Sequence, residues 1–280
     1  MRILIHGGFF SESSQSNETK LEKQQALIQI LEKAKDYLTE HTALQTSIYA
    51  VSLLEDCPLF NAGIGSQIQS DGEIRMSAAI MDGATQKFSG VINIEDVKNP
   101  IHVAEKLMEE DDRVLGGSGA CRYAKLSGFE AYSTQTEDRK KEYLSKKQST
   151  GTGTVGCVVL DQEGKLAAAT STGGKGFEIP GRVSDSATIA GNFANQHCAV
   201  SCTGVGEDIV SNGLATKIVT RVTDGMTLEQ AFKKSFSELK PYDGIAGAIA
   251  VSKNGDVYFL ESHPKIVYAS YNGAENTVFT

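Results

Sequence analysis

The sequence contains no tryptophan, only five prolines among its 280 residues, and no excess of positive charge. Lysine and arginine number 27 against 35 aspartate and glutamate residues, so the formal net charge is −8. A chain with this negative net charge is not expected to present a basic face to a phosphate backbone. We therefore do not expect nucleic acid as a partner. No apolar run approaches the ~18 residues that a membrane-spanning helix needs, so we expect no membrane contact.

Cysteine is also scarce. The five residues are odd in number and scattered along the chain, a pattern typical of reduced thiols rather than a disulfide framework. Residues 1–8, MRILIHGG, lack the long apolar core of a signal peptide. These features predict a cytoplasmic protein.

Glycine, by contrast, is abundant, with 28 residues in the chain. Eleven of them fall in residues 151–206. Because proline is rare, this excess is not the signature of disorder or of collagen. Hydrophobic residues make up 40% and charged residues 22%, as in a globular protein long enough to bury a core.

The apolar spacing predicts helices and strands in separate groups, which favours a layered α+β fold over regular βαβ alternation. Helices are predicted at 20–38, 44–54, 100–110, 119–128, 207–222 and 227–239. Strands are predicted at 3–5, 74–80, 88–94, 155–160, 166–171, 198–202, 246–251 and 257–260. Residues 131–153 are polar and poor in apolar anchors, so we predict a flexible linker there.

Thr154 follows this linker directly and lies between Gly153 and Gly156. It belongs to the segment GTGTVGCVVL (151–160), which leads into an apolar strand. Taken alone, this segment is a loop-to-strand junction. Three further segments carry hydroxyl, glycine and charged residues at strand ends or in turns: TSTGG (170–174), PGRVSDS (180–186) and SCTGVGE (201–207). Together the four segments indicate a site built around Thr154.

The chain resembles the plant-type L-asparaginase/isoaspartyl peptidase family of N-terminal-nucleophile hydrolases. Seven motifs occur in the family's order and approximate spacing: HGG (6–8), PLFNAGIG (58–65), MDG (81–83), GTVG (153–156), the hydroxyl and double glycine at 172–174, GRV with Asp185 (181–185), and CTGVG (202–206). The resemblance covers most of the chain.

This resemblance implies a four-layer αββα sandwich in a single domain over residues 1–280. It also implies that the precursor cuts itself between Gly153 and Thr154, giving an α chain of 1–153 and a β chain of 154–280. Thr154 would then be the nucleophile, and its new α-amine would be the general base, so no histidine is required. A free α-amine has a pKa of about 7.7–8.0, which suits proton transfer near neutral pH.

Other roles follow from the same resemblance. Thr172 would orient the nucleophile, and Asn61 would support it. Arg182 would bind the substrate α-carboxylate, while Asp185 and the Gly206 carbonyl would bind the α-ammonium group. The Thr203 hydroxyl and the Gly204 N–H would form the oxyanion hole.

The resemblance implies no organic cofactor but a structural sodium ion in the loop 54–64. Its ligands would be the main-chain oxygens of Leu54, Glu55, Cys57, Phe60, Ala62 and Ile64, since such oxygens suit hard cations. It also implies a homodimer of cleaved αβ units. The expected substrates are isoaspartyl dipeptides and L-asparagine, with L-aspartate as the product.

The sequence departs from the family pattern at three places. Phe9 and Phe10 follow the HGG motif, Thr152 precedes Gly153 where histidine is common, and residues 260–265 differ from the usual Asn-Thr-x-Gly-Met. Two alternatives stay open: a glycosylasparaginase-like amidase, although that family has aspartate where Thr152 stands, and an uncleaved, non-catalytic relative that acts as a binding protein.

Overall fold

The computed structural model describes residues 1–10, 16–145, 153–262 and 265–280. The helices within these ranges are α1 (Asn17–Leu38), α2 (Ala43–Glu55), α3 (Pro100–Leu107), α4 (Gly117–Leu126), α5 (Glu137–Leu144), α6 (Gly206–Asn212), α7 (Leu214–Thr223) and α8 (Leu228–Ser237). The strands are β1 (Arg2–Phe10), β2 (Met76–Asp82), β3 (Lys87–Ile94), β4 (Val114–Gly116), β5 (Val155–Leu160), β6 (Leu166–Thr172), β7 (Asn192–Ala194), β8 (Cys198–Gly204), β9 (Ala246–Ser252), β10 (Val257–Glu261), β11 (Lys265–Tyr271) and β12 (Asn276–Val278).

These strands form two sheets. Together with the helices they make a mixed α/β fold. The large sheet has the order β12-β11-β1-β5-β6-β2-β3-β4, and the small sheet has the order β10-β9-β8-β7. Neighbouring strands are antiparallel except for the pair β3 and β4. Strands β5 and β6 occupy the middle of the large sheet and lie between β1 and β2.

The alternation of side chains along the strands sorts the core into three parts. One face of the large sheet, including Ile5 and Val159, packs against apolar residues of α1 and α2. Its other face meets the small sheet, where Val158 and Ile249 belong to one cluster. The far face of the small sheet packs against α7 and α8, where Phe232 is fully buried.

The predicted helices 20–38 and 44–54 are confirmed as α1 and α2. Helix α1 buries an apolar stripe at 3.6-residue spacing: Leu27, Ile30, Leu31, Ala34 and Leu38. Helix α2 begins with a capping box, in which Thr42 and Gln45 each bind the other's backbone N–H. The C-terminal end of α2 delivers Glu55 and the following loop to the middle of the large sheet, since α2 packs on β5 and β6.

One helix predicted from sequence was wrong, and the predicted linker contains a helix. The helix predicted at 207–222 is divided into α6 and α7, because Gly213 adopts a left-handed conformation with φ of 65°. The segment predicted as a flexible linker contains α5, which is held by contacts outside itself. Arg139 Nε donates to the Gly65 carbonyl at 2.8 Å, and the ring of Tyr143 stacks on Phe177 with 5.3 Å between centroids. Residues 146–152 of that segment lie outside the described ranges.

Two further observations concern the helices and the cysteines. None of the helices in the described ranges is long and apolar enough to cross a membrane. All five cysteines lie in these ranges, and each is a free thiol.

Candidate active site

A buried layer of polar side chains lies between the two sheets. His6 on β1, Thr170 on β6 and Ser201 on β8 are fully buried and face one another. Ser201 Oγ lies 2.9 Å from His6 Nε2 and 2.7 Å from Thr170 Oγ1. Burial lowers the pKa of His6 to about 3, so its ring is neutral near pH 7 and serves as a hydrogen-bonding group. The layer is polar where the rest of the inter-sheet core is apolar.

Thr154 lies at the edge of this layer, directly before β5, and is only 6% exposed. Its Oγ1 donates to Thr172 Oγ1 at 3.2 Å. The Gly174 N–H also donates to Thr172 Oγ1, at 3.2 Å. The structure therefore brings together the two threonines that the sequence analysis paired, and Thr172 is fixed by a turn of its own chain.

Asn61 joins the same cluster through its backbone and its side chain. Its N–H donates to the Gly153 carbonyl at 3.2 Å, and its carbonyl accepts from the Gly173 N–H at 2.9 Å. Its Nδ2 donates to the Gly174 carbonyl at 2.5 Å. Its Oδ1 accepts from the Gln67 N–H at 3.0 Å. Asn61 thus lies directly beside the carbonyl that precedes Thr154.

Arg182 forms an ion pair with Glu207, a residue to which the sequence analysis assigned no role. Its Nε and Nη2 donate to the two carboxylate oxygens of Glu207, at 2.8 and 3.0 Å. Lys175 Nζ contacts the same carboxylate at 3.3 Å. The hydrogen bonds from Arg182 lower the pKa of Glu207 to about 2. The only signal in the sequence was the position of this acid directly after Gly206.

Asp185 lies beside this pair in a short 3-10 helix that packs on β2 and β6. Ser184 Oγ donates to its Oδ1 at 3.2 Å, while its Oδ2 has no hydrogen-bond partner among the described residues. Burial raises the pKa of this carboxyl to about 6, and the charge of Arg182 opposes the rise. A buried carboxyl oxygen without a partner is suited to receive a cationic group from outside the chain.

Gly206 fits closely between these two charged groups. A Cβ atom at this position would lie 2.6 Å from Arg182 Nη2 and 2.9 Å from Asp185 Oδ1. Any larger residue would displace them. Arg182, Asp185 and Gly206 therefore form a second cluster, as the sequence analysis expected.

Thr203 and Gly204 end strand β8. Thr203 lies two residues after Ser201 and so points into the same polar layer; it is fully buried, and its Oγ1 has no partner among the described residues. Gly204 has a φ of 149°, and a Cβ atom there would lie 2.4 Å from the Ile245 carbonyl oxygen. Only glycine fits this strand end.

The loop 54–64 places its carbonyl groups around a tight turn. A Cβ atom on Gly63 would lie 2.2 Å from the main-chain carbonyl oxygen of Glu55. A Cβ atom on Gly65 would lie 1.8 Å from the main-chain carbonyl oxygen of Phe60. The carbonyls of Cys57 and Ala62 each accept a backbone hydrogen bond, from the N–H groups of Phe60 and Gly65, and a carbonyl oxygen has a second lone pair. No cluster of three His, Cys, Asp or Glu side chains suited to a metal occurs in the described part of the chain.

Known proteins are similar to this chain along nearly its whole length. A family model described as asparaginase matches residues 1–279. The isoaspartyl peptidase/L-asparaginase of Nostoc sp. is 43% identical over 296 aligned residues, covering 97% of this chain and 92% of that protein. The plant-type L-asparaginase of Pyrococcus furiosus is 35% identical, with 95% of each chain covered. The isoaspartyl peptidase of Escherichia coli is 36% identical, over 99% of this chain and 94% of that protein.

Proposed function

The chain belongs to the asparaginase family, and from this we propose that it is a self-processing threonine hydrolase that releases L-aspartate from isoaspartyl dipeptides and L-asparagine. The relatives named isoaspartyl peptidase and L-asparaginase support this substrate class. The observation that carries the mechanism is the hydrogen bond from Thr154 Oγ1 to Thr172 Oγ1, made beside the Gly153 carbonyl.

We propose that the two facing sheets and their outer helices are the four-layer αββα sandwich of N-terminal-nucleophile hydrolases. The three core clusters support this assignment, because they lie between helices and large sheet, between the sheets, and between small sheet and helices. In this fold the reacting groups occupy the inter-sheet layer, where the apolar surroundings strengthen each hydrogen bond.

Self-cleavage begins in the uncut chain. Thr154 Oγ attacks the carbonyl carbon of Gly153, and the C–N bond to Thr154 breaks as the acyl group moves from nitrogen to oxygen. The proton of the hydroxyl group passes to the departing nitrogen, which becomes an amine. The Asn61 N–H, which already donates to the Gly153 oxygen, stabilises the charge that develops there. Water then hydrolyses the ester, which leaves a carboxylate on Gly153 and a free α-amine on Thr154. The products are the chains 1–153 and 154–280 within one domain.

The second reaction uses the same oxygen on an external substrate. The α-amine of Thr154 takes the proton from its own hydroxyl, and Oγ attacks the side-chain carbonyl of the substrate. Thr203 Oγ1 and the Gly204 N–H stabilise the oxyanion; the unpartnered, fully buried Thr203 Oγ1 supports this role. Ammonia or an amino acid leaves, and water releases L-aspartate from the ester.

Recognition of the substrate head group falls to the second cluster. Arg182 retains N–H groups beyond the two that bind Glu207, and these would hold the α-carboxylate. The free Oδ2 of Asp185 would receive the α-ammonium group, with the Gly206 carbonyl beside it. Glu207 fixes the plane of the guanidinium group, since its two carboxylate oxygens bind two N–H groups along one edge.

Three further features belong to this proposal. The main-chain oxygens of Leu54, Glu55, Cys57, Phe60, Ala62 and Ile64 would hold a sodium ion, which supplies no chemistry and fixes the loop that carries Asn61. The main-chain oxygens of Glu55 and Phe60 lie close to Gly63 and Gly65, and this compact turn supports the proposed sodium site. We also propose a cytoplasmic location, which the free thiols support, and a homodimer of cleaved units.

Mass spectrometry tests the mechanism. The purified protein should consist of fragments 1–153 and 154–280, whereas the Thr154→Ala variant should remain one chain of 30.0 kDa and release no aspartate. Thr154→Ser, which keeps a hydroxyl nucleophile, is the matched control and should still be cut. An intact wild-type chain with full activity would overturn the mechanism. Release of aspartate from a glycosylated asparagine, but not from β-aspartyl-leucine, would favour the glycosylasparaginase alternative.

A further inference from the structure

We propose that Glu55 is a positioning residue, which acts through Ser171 to hold Thr172 in hydrogen-bonding distance of Thr154. The inference rests on the proposed function, because it assumes that Thr172 orients the nucleophile. It assigns a role to the Glu55 side chain, whereas the sequence analysis used only its main-chain oxygen.

The residues on both sides of Thr172 are tied to the same short segment of chain. Ser171 Oγ donates to Glu55 Oε1 at 2.6 Å, and the Gly173 N–H donates to the Asn61 carbonyl at 2.9 Å. Both anchors therefore lie in residues 55–61. Thr172 is clamped between them, and its own side chain points to the opposite face of β6 from that of Ser171.

Glu55 is itself held firmly. It is fully buried at the end of α2, and its Oε1 also accepts from the Ile101 N–H at 3.2 Å. A Cβ atom on Gly63 would lie 2.6 Å from Glu55 Cβ, so the backbone of the loop packs directly on this residue. A shift of Glu55 would move the loop and β6 together.

A buried carboxyl in this position is costly, which argues that it has a task beyond packing. The second carboxylate oxygen of Glu55, Oε2, has no hydrogen-bond partner among the described residues. An apolar residue would fill this space at less cost in folding free energy, but it could not accept the bond from Ser171.

The test compares Ser171→Ala with Ser89→Ala. Ser89 is the matched control, because it is also a fully buried serine of the large sheet and makes one short bond, 2.7 Å to the Ala104 carbonyl, on β3, with β2 between it and β6. Each variant is assayed for release of aspartate from β-aspartyl-leucine, with kcat normalised to the amount of cleaved chain. Glu55→Gln keeps an oxygen that can accept both hydrogen bonds, and Glu55→Ala removes it.

We expect Ser171→Ala and Glu55→Ala to lower kcat about tenfold or more while KM changes less than about twofold, because misplacement of a reacting group affects the chemical step. Glu55→Gln should keep kcat within about threefold of the wild type. Ser89→Ala should lower the melting temperature as Ser171→Ala does, but leave kcat unchanged.

Two results would overturn the inference, and they differ. If the wild type releases aspartate and Ser171→Ala behaves as Ser89→Ala does, Glu55 has only a structural role and the proposed function stands. If the cleaved wild type releases no aspartate from any β-aspartyl substrate, the proposed function fails first and the role of Glu55 fails with it.

Discussion

The backbone N–H of Asn61 donates to the carbonyl oxygen of Gly153 at 3.2 Å, although the two residues are 92 positions apart in the chain. This bond places a hydrogen-bond donor where negative charge would develop if Thr154 attacked that carbonyl. The side chain of Asn61 holds the donor in place through bonds to Gly174 and Gln67.

Asn61→Ala should slow self-cleavage about tenfold to a hundredfold without abolishing it, because the N–H remains but loses both side-chain anchors. Asn61→Asp keeps the acceptor for the Gln67 N–H and loses the donor to Gly174, so its rate should fall between those of Asn61→Ala and the wild type. The rates are measured as the loss of intact chain on denaturing gels after rapid purification. Equal rates in all three proteins would contradict this role.

Thr172→Val removes the hydroxyl that accepts from Thr154 and keeps the shape of the side chain. We expect kcat to fall by about tenfold to a hundredfold, because the nucleophile loses its orienting partner. Thr172→Ser retains the hydroxyl and should recover most of the loss. Steady-state assays on cleaved protein separate the two variants, and similar kcat values for both would exclude this function of the hydroxyl.

The raised pKa of Asp185, about 6, predicts that binding of L-aspartate depends on pH. As the pH falls below this value the carboxyl becomes neutral and loses its attraction for an ammonium group. The dissociation constant should therefore rise by up to about tenfold per pH unit. Glu207 has a pKa of about 2 and stays ionised, so the Arg182 pair does not contribute. Calorimetry between pH 4.5 and 6.5 measures the effect.

Asp185→Asn provides the control for this experiment. An amide at this position does not titrate, so its binding should be weak and nearly independent of pH over the same range. If the variant followed the same pH profile as the wild type, another group would be responsible.

Sodium should stabilise the protein against heat. An ion that binds only the folded chain raises the melting temperature as its concentration rises. We expect a higher melting temperature in sodium chloride than in choline chloride at the same ionic strength. Gly65→Ala places a methyl group against the Phe60 carbonyl oxygen and should remove the difference. An equal sodium effect in both proteins would place the ion elsewhere.

The sequence predicted the elements whose local signals are strong. The spacing of Leu27, Ile30 and Leu31 identified α1, and the apolar run at 155–160 identified β5. Strand β11 was not predicted, although Ile266 and Val267 are buried in it, because a short mixed segment carries little periodic signal. The division between α6 and α7 was missed because Gly213 falls within a pattern that is otherwise helical.

The sequence predicted which residues lie near Thr154 but not the contacts that they make. Thr154, Thr172 and Asn61 were identified through motifs, and the structure brings them together. The bond from Ser171 to Glu55 spans 116 positions, and no spacing rule relates them. Contacts of this kind depend on strand order, which the local pattern does not determine.

The strand order also has a consequence for how the protein folds. Strand β1 belongs to residues 1–153 but lies between β5 and β11, and β2 pairs with β6, so strands from the two sides of position 153 interleave in one sheet. A cut there would leave two fragments that cannot part without breaking the sheet. The uncut chain can fold in a unimolecular reaction, whereas the denatured cut protein must bring two molecules together. The rate at which the cut protein refolds from denaturant should therefore fall as the protein is diluted. After cleavage, the folded state would be maintained by the kinetic barrier to unfolding rather than by reversible refolding.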